Sequence, residues 1–155
     1  MKNTPQVEVI IEIPRGSFRK FDSRGRLDYI SPVPCPFNYG SVADFVGPDG
    51  DPLDAVILGR RLSRGTRLNV RAIGAVRMSD RGVLDDKLIC SHKPVGVIKR
   101  TWILLFFRFY AACKGLLNTC RGYKGRNRCL GWLNAEAAIK KAENRTNKQN
   151  NLHTS

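Results

Sequence analysis

The run Asp49-Gly50-Asp51-Pro52-Leu53-Asp54 places three carboxylates within six residues of a chain whose formal net charge is +14. Asp and Glu number 13 against 27 Lys and Arg, so a dense acidic run is not the generic surface of this chain. Asp49 and Asp51 are two residues apart and share a face on an extended segment. Gly50 and Pro52 favour a turn, and Asp54 lies just past it, where the apolar run Ala55-Val56-Ile57-Leu58 begins. Hard oxygen ligands gathered at the mouth of a strand suit Mg²⁺ or a similar cation. The same residues also suit a turn that only closes a hairpin, and spacing leaves both readings open.

A second acidic group follows. Asp80, Asp85 and Asp86 bracket Gly82-Val83-Leu84, and Lys87 comes directly after. If neighbouring strands bring the two groups together, their like charges repel strongly unless cations neutralise them. Several divalent cations in one site suit phosphoryl transfer to water, because they neutralise phosphate charge and acidify an attacking water. A carboxylate not used as a ligand can serve as general base. Lys20, Lys87 and nearby arginines can hold phosphate oxygens. Tyr39 and Tyr110 can donate to phosphate, although either one taken alone reads more simply as half-buried aromatic packing. The five cysteines, Cys35, Cys90, Cys113, Cys120 and Cys129, form no C-x-x-C pair and read as free intracellular thiols. Cys90 with His92 is too small a pair to define a metal site.

The elements that must position these groups follow from pattern. Val7–Ile13 reads as a strand, Ser17–Asp22 as a second, Ser23–Arg26 as a turn and Leu27–Ser31 as the return. Pro32, Pro34 and Pro36 predict an extended loop to Gly40. Ala55–Leu58, the alternating Arg67–Met78 and Lys87–Cys90 read as strands, with a turn at Asp80-Arg81-Gly82. Lys99–Asn118 has helical apolar spacing. Gly122–Arg128 reads as a basic loop. Asn134 is an N-cap for a helix from Ala135 to about Glu143, and polar Thr146–Ser155 is expected to fray. The 155 residues, 42% hydrophobic, fit a single domain over 1–145 with a tail at 146–155. The class predicted is α+β, mainly β: a mostly antiparallel barrel with helices outside.

The longest strongly apolar run, Trp102–Phe107, falls well short of the roughly 20 residues that span a bilayer. The first residues lack an apolar core. A cytoplasmic protein with no membrane partner is expected. From Lys87 to Lys148 there are 14 bases against two acids, Glu136 and Glu143. That half can attract polyanions. A nucleic-acid partner is disfavoured because the aromatic residues are not interleaved with the basic runs.

Ile11-Glu12-Ile13-Pro14-Arg15-Gly16-Ser17, Lys20-Phe21-Asp22 and Asn38-Tyr39-Gly40 resemble the opening of the soluble family I inorganic pyrophosphatases. Asp49 to Asp54 resembles that family's signature D-[SGDN]-D-[PE]-[LIVMF]-D. Asp80, Gly82, Asp85, Asp86 and Lys87 match its later acidic segment, and Gly131-Trp132 with Ala135-Glu136-Ala137-Ala138 resembles its closing helix entry. The resemblance runs from about Val7 to Ile139. It implies a five-stranded OB-like closed barrel with helices packed on it. It also implies hydrolysis of pyrophosphate to two phosphates with several Mg²⁺ per site (Mn²⁺ or another divalent metal as substitute), and a homo-oligomer. By the same resemblance, Glu12, Asp49, Asp54, Asp80 and Asp85 hold metal and Asp51 is the general base. Lys20, Tyr39, Lys87 and Tyr110 contact phosphate. Asp22 replaces a Glu of the family, Tyr29 an Arg, Cys35 a Tyr and Ala111 a Lys, with Lys114 one turn beyond. Arg15, Arg26, Arg126 and Arg128 are candidates to restore the lost charge. These departures imply reduced activity, and leave open a larger phosphoanhydride substrate or a non-enzymatic module that binds polyanions.

Overall fold

The structure is a computed structural model and describes residues 4–21, 26–30, 34–48, 50–122 and 127–154, without the side chains of Lys20, Phe21, Asp28 and Tyr29. The elements in chain order are β1 (Gln6–Ile13), β2 (Arg19–Phe21), β3 (Leu27–Ile30), β4 (Asn38–Val46), β5 (Pro52–Ile57), β6 (Arg67–Asp80), β7 (Val83–Cys90), α1 (Val97–Cys120), β8 (Arg128–Leu133) and α2 (Ala135–His153). Strands β1, β4, β5, β7 and β6 are hydrogen-bonded in that order, and a β1–β6 pairing closes them into a ring. This is the five-stranded OB-like arrangement that the family resemblance implies. Strands β2 and β3 form a separate hairpin.

Strand β6 makes closure possible by its length. Its first part pairs with β1 from Gln6↔Arg71 to Ile10↔Arg67, and its remainder pairs with β7 on one edge and β8 on the other. Alternation on β1 buries Val7, Val9 and Ile11 and turns Gln6 and Glu8 to solvent. With Leu53, Ala55, Ile57, Leu88 and Cys90 these residues build a core that α2 covers with Ala135, Ala138, Ile139 and Ala142. Three alanines among four contacts let the helix lie close on the strands. The opposite face carries Val56, Val76, Met78 and Ile89, and α1 buries Ile103, Phe107 and Ala111 on it. Asp54, Asp80 and Asp85 fall on this second face, in step with Val56, Met78 and Ile89.

Two sequence expectations change, and two features go beyond them. The sequence predicts an extended loop to Gly40 and no element between it and Ala55, where the structure has β4. Pro34 and Pro36 do keep the backbone out of pairing, but Asn38 enters the ring at once, opposite Ile57. Gly40 is required inside that strand, because a Cβ there would land on the carbonyl oxygen of Ile10. Strand β8 begins at Arg128, where the basic loop predicted from Gly122 ends, and pairs antiparallel with β6. Gly74 leaves the room that Trp132 fills. The ring is mostly antiparallel, as expected, and the exception is β5 with β7, which run parallel with Asp54 opposite Lys87. The last helix does not end near Glu143 but continues to His153. Its second half is anchored: Thr146 Oγ1 accepts from Val46 N at 3.0 Å, and Arg145 Nε donates to Val46 O at 3.1 Å. The Asn134 cap is as expected, accepting from Glu136 N at 2.9 Å.

Candidate active site

Strand register assembles the centre of the site. Ser41 on β4 lies opposite Asp54 on β5, and Asp54 lies opposite Lys87 on β7. Side chains two apart share a face, so Asp54 stands with Val56, and Asp85 and Lys87 stand with Ile89. Lys87 is 4% exposed. Its Nζ donates to Asp54 Oδ2 at 2.6 Å and to Asp85 Oδ2 at 2.8 Å. Burial alone favours a neutral amine, but the two carboxylates outweigh it and hold the Lys87 pKa well above the ordinary lysine value. The ammonium lies 5.5 Å from the centre of the Tyr39 ring. Burial and the adjacent Asp54 push the Tyr39 phenol well above its ordinary value, so it remains a hydrogen-bond donor. On the other side of the row, Ser41 Oγ donates to Glu12 Oε1 at 2.6 Å.

A small cavity of about 50 Å³ lies beside this centre, lined by Cys35, Phe37, Tyr39, Lys87, Phe106 and Tyr110 among others. Tyr110 is half-buried and stacks on Phe106 at 6.2 Å between ring centres. Burial pushes the Cys35 thiol up, away from the thiolate.

Two flanking arrangements fix the acids of the β6–β7 hairpin. Arg81 and Gly82 both have positive φ, 52° and 83°, which closes the tight turn between Asp80 and Val83. Asp80 Oδ2 accepts from Lys114 Nζ at 2.5 Å and its Oδ1 from Asn127 Nδ2 at 3.0 Å. Partial burial works against the Asp80 carboxylate, but Lys114 and Asn127 prevail and hold it below the usual range. Asp86, 1% exposed, accepts both ends of the Arg77 guanidinium fork at 2.9 and 3.0 Å. It faces away from Asp85 and Lys87, as strand alternation requires.

The fold therefore joins Asp54, Asp85, Lys87 and Tyr39 directly, and adds Glu12 through Ser41. Asp80 is held in a separate polar group with Lys114 and Asn127. Asp51 is exposed at the head of β5, where its carbonyl accepts from Gly47 N at 2.6 Å. Gly50 has φ of 90°, which accounts for glycine within the signature. Asp49, Asp22, Arg126 and the side chains of Lys20 and Tyr29 lie outside the described residues. Among the described residues, no three His, Cys, Asp or Glu side chains form a ready metal cage. The donor set nonetheless fits a divalent cation: it consists of hard carboxylate oxygens, and Asp54 and Asp85 already converge on one positive charge. Sequence reasoning missed Ser41, Asn127, and the Arg77–Asp86 pair. Lys114 was noted only for its place on the helix. Asn38 organises the neighbouring loops: its Oδ1 accepts from Arg15 N and Leu62 N, and its Nδ2 donates to Arg60 O at 2.7 Å. Arg15, a candidate to restore lost charge, donates instead to Gly59 O at 2.9 Å.

A closed five-stranded ring with one helix over each core, and a carboxylate row interrupted by a buried lysine, defines an OB-like protein with a polar site on its outer face. The chain belongs to the inorganic pyrophosphatase family, whose model, described as "Inorganic pyrophosphatase", matches residues 9–147. It is 43% identical to the inorganic pyrophosphatase of Streptomyces coelicolor over 93 residues, a match covering 55% of this chain and 57% of that relative. It is 30% identical to the inorganic pyrophosphatase of Thermoplasma volcanium over 155 aligned residues, 85% of this chain and 91% of the relative. The crystal structure of inorganic pyrophosphatase from Thermus thermophilus superposes with a TM-score of 0.73 at 27% identity, covering 92% of this chain and 90% of that one.

Proposed function

We propose that this chain hydrolyses inorganic pyrophosphate to two phosphates with divalent metal, Mg²⁺ first among the candidates. The observation that carries the reading is Lys87, buried and held between Asp54 and Asp85 within a fold of this family. Glu12, Asp49, Asp54, Asp80 and Asp85 would hold the metal. Bound divalent cations at such a set supply charge neutralisation of phosphate oxygens and an acidified water.

The chain's own groups account for the rest. Asp51, exposed beside the row, accepts the proton of the attacking water. Lys87 turns one of its three N–H groups to a phosphate oxygen while keeping its carboxylate partners. Tyr39 and Tyr110 donate from the aromatic side, and Lys20 supplies a further cation for phosphate. Lys114 takes the place of the cation absent at Ala111, holding Asp80 until substrate arrives and then sharing its charge with phosphate. The product phosphates leave from the exposed Asp51 side.

The reading is tested by phosphate release from a panel of pyrophosphate, tripolyphosphate and nucleoside triphosphates, each with Mg²⁺, Mn²⁺ and chelator. Release from pyrophosphate that requires metal and exceeds the other substrates is expected. A preference for tripolyphosphate or a nucleotide contradicts the assignment of substrate, and release undiminished by chelator contradicts the role of metal.

A further inference from the structure

Strand β4 leaves its neighbours before it reaches the acidic turn. On one side its pairing with β1 ends at Ser41, opposite Ile10. On the other, the register with β5 slips between Val42↔Leu53 and Val46↔Pro52, and residues 43–45 fall between the two pairs. Past Val46 the turn closes on itself: Gly47 N donates to Asp51 O at 2.6 Å, and Gly50 N to Gly47 O at 3.2 Å. A bond from the residue after Val46 to the residue before Pro52 makes Val46 and Pro52 a non-hydrogen-bonded pair. The N–H and C=O of Val46 therefore point away from β5. Helix α2 receives them. Thr146 Oγ1 accepts from Val46 N at 3.0 Å, and Arg145 Nε donates to Val46 O at 3.1 Å. The Thr146 hydroxyl proton is committed to Ala142 O at 2.8 Å, which leaves its oxygen to accept. Arg145 keeps its contact although its Nη2 is buried with no acceptor among the described residues. An arginine that served only to solvate the helix would turn that nitrogen to water.

We propose that Arg145 and Thr146 are positioning residues for Asp51, a role that rests on the reading of Asp51 as general base. Two consecutive residues of α2 do for Val46 what a neighbouring strand does elsewhere in the ring. They fix the residue from which the acidic turn departs. The path to the base is short. It runs from the helix to Val46, along the chain to Gly47, and from Gly47 N to Asp51 O. Pro52 follows Asp51 and has no N–H of its own to anchor the turn. Gly47 is buried and Asp51 exposed, so the turn is gripped at its base and open to solvent at its tip. A general base acts only within hydrogen-bond reach of the water it deprotonates, and a small displacement of the turn takes the carboxylate out of that reach. The second half of α2 thereby becomes part of what the reaction needs, although it touches neither substrate nor metal.

Phosphate release from pyrophosphate with Mg²⁺ and amide hydrogen exchange are measured on the full chain and its variants. Thr146→Val, close in shape but without the hydroxyl, is expected to lower kcat about 10- to 100-fold with KM within about twofold. Thr146→Ser keeps the hydroxyl and is expected to return kcat to within about threefold of wild type. Arg145→Met is expected to act in the same direction as Thr146→Val. Exchange at Gly47 N is expected to rise at least about tenfold in Thr146→Val, while the amides of β6 keep their protection. Thr154→Val, which removes hydroxyl contacts to Asn150 O and Asn151 O at the far end of the same helix, is expected to change neither readout. Wild-type kcat in Thr146→Val overturns the proposal even where exchange rises, because the hydroxyl is then structural only. Unchanged exchange at Gly47 overturns it, and so does a loss in Thr146→Ser equal to that in Thr146→Val. A wild-type chain that releases no phosphate with any divalent metal overturns the reading of Asp51 as base instead, and exchange alone then decides whether α2 fixes the turn.

Discussion

Lys87 is cationic because of its neighbours and in spite of its burial. At 4% exposure a lone ammonium would be costly, and it persists because Asp54 and Asp85 accept from it at 2.6 and 2.8 Å. Lys87→Met is therefore expected to do two things. It removes a charged contact to phosphate, lowering kcat/KM by about 10- to 100-fold. It also leaves two carboxylates unneutralised in the metal-free chain, so added Mg²⁺ should raise the melting temperature of the variant more than that of the wild type, as calorimetry can check. Asp80 gives a pH test. Its carboxyl is held below the usual range, chiefly by Lys114 against partial burial. The stability it adds is present above the ordinary carboxylate range, near pH 4, and is lost as pH falls through the lowered value. Lys114→Met should move acid unfolding to higher pH, at a cost of about 1 kcal/mol or less at neutral pH. Asp54, Asp85 and Lys87 were legible because their motifs are local. The Lys114 contact was not, because the 34 positions separating it from Asp80 are bridged only by the packing of α1 on the ring.

The strands and helices place these residues through a few positions that tolerate little change. Arg77 on β6 and Asp86 on β7 are register partners and a closed ion pair. Arg77→Met strands a buried carboxylate and should cost about 3–5 kcal/mol in urea unfolding, most of it recovered in Arg77→Met, Asp86→Leu. Gly40→Ala forces β4 off β1 and should destabilise by at least about 2 kcal/mol, since the obstacle is backbone and cannot rotate away. The end of α2 acts on the signature loop from a distance. Arg145 and Thr146 hold the two backbone groups of Val46, just before Gly47–Asp51. Thr146→Val should lower kcat with little change in circular dichroism. Alternation made β1 and β6 readable, and the apolar run made the second half of β7 readable. Strand β4 was hidden because Gly40 and the preceding prolines resemble a loop until β1 is laid against them. The second half of α2 was hidden because its polar residues gain their reason for order from Val46, about a hundred positions earlier.

At the scale of the whole molecule, charge and exposure divide the labour. The net charge of +14 should raise the encounter rate with an anionic substrate, so kcat/KM for pyrophosphate should fall as ionic strength rises across the Debye range of about 10 Å at 0.1 M. The site lies on the face that α1 covers from within, while the outer side of the same helix points to solvent. The acidic row is proposed to work through Asp51 as its base. That role is tested most directly by measuring phosphate release from pyrophosphate with Mg²⁺ for the wild-type chain and Asp51→Asn side by side. Metal-dependent release by the wild type is expected, with a loss of about 10²–10⁴-fold in kcat for the variant and the fold unchanged. Wild-type rates in Asp51→Asn, or no release by a folded wild-type chain with any divalent metal, would contradict it.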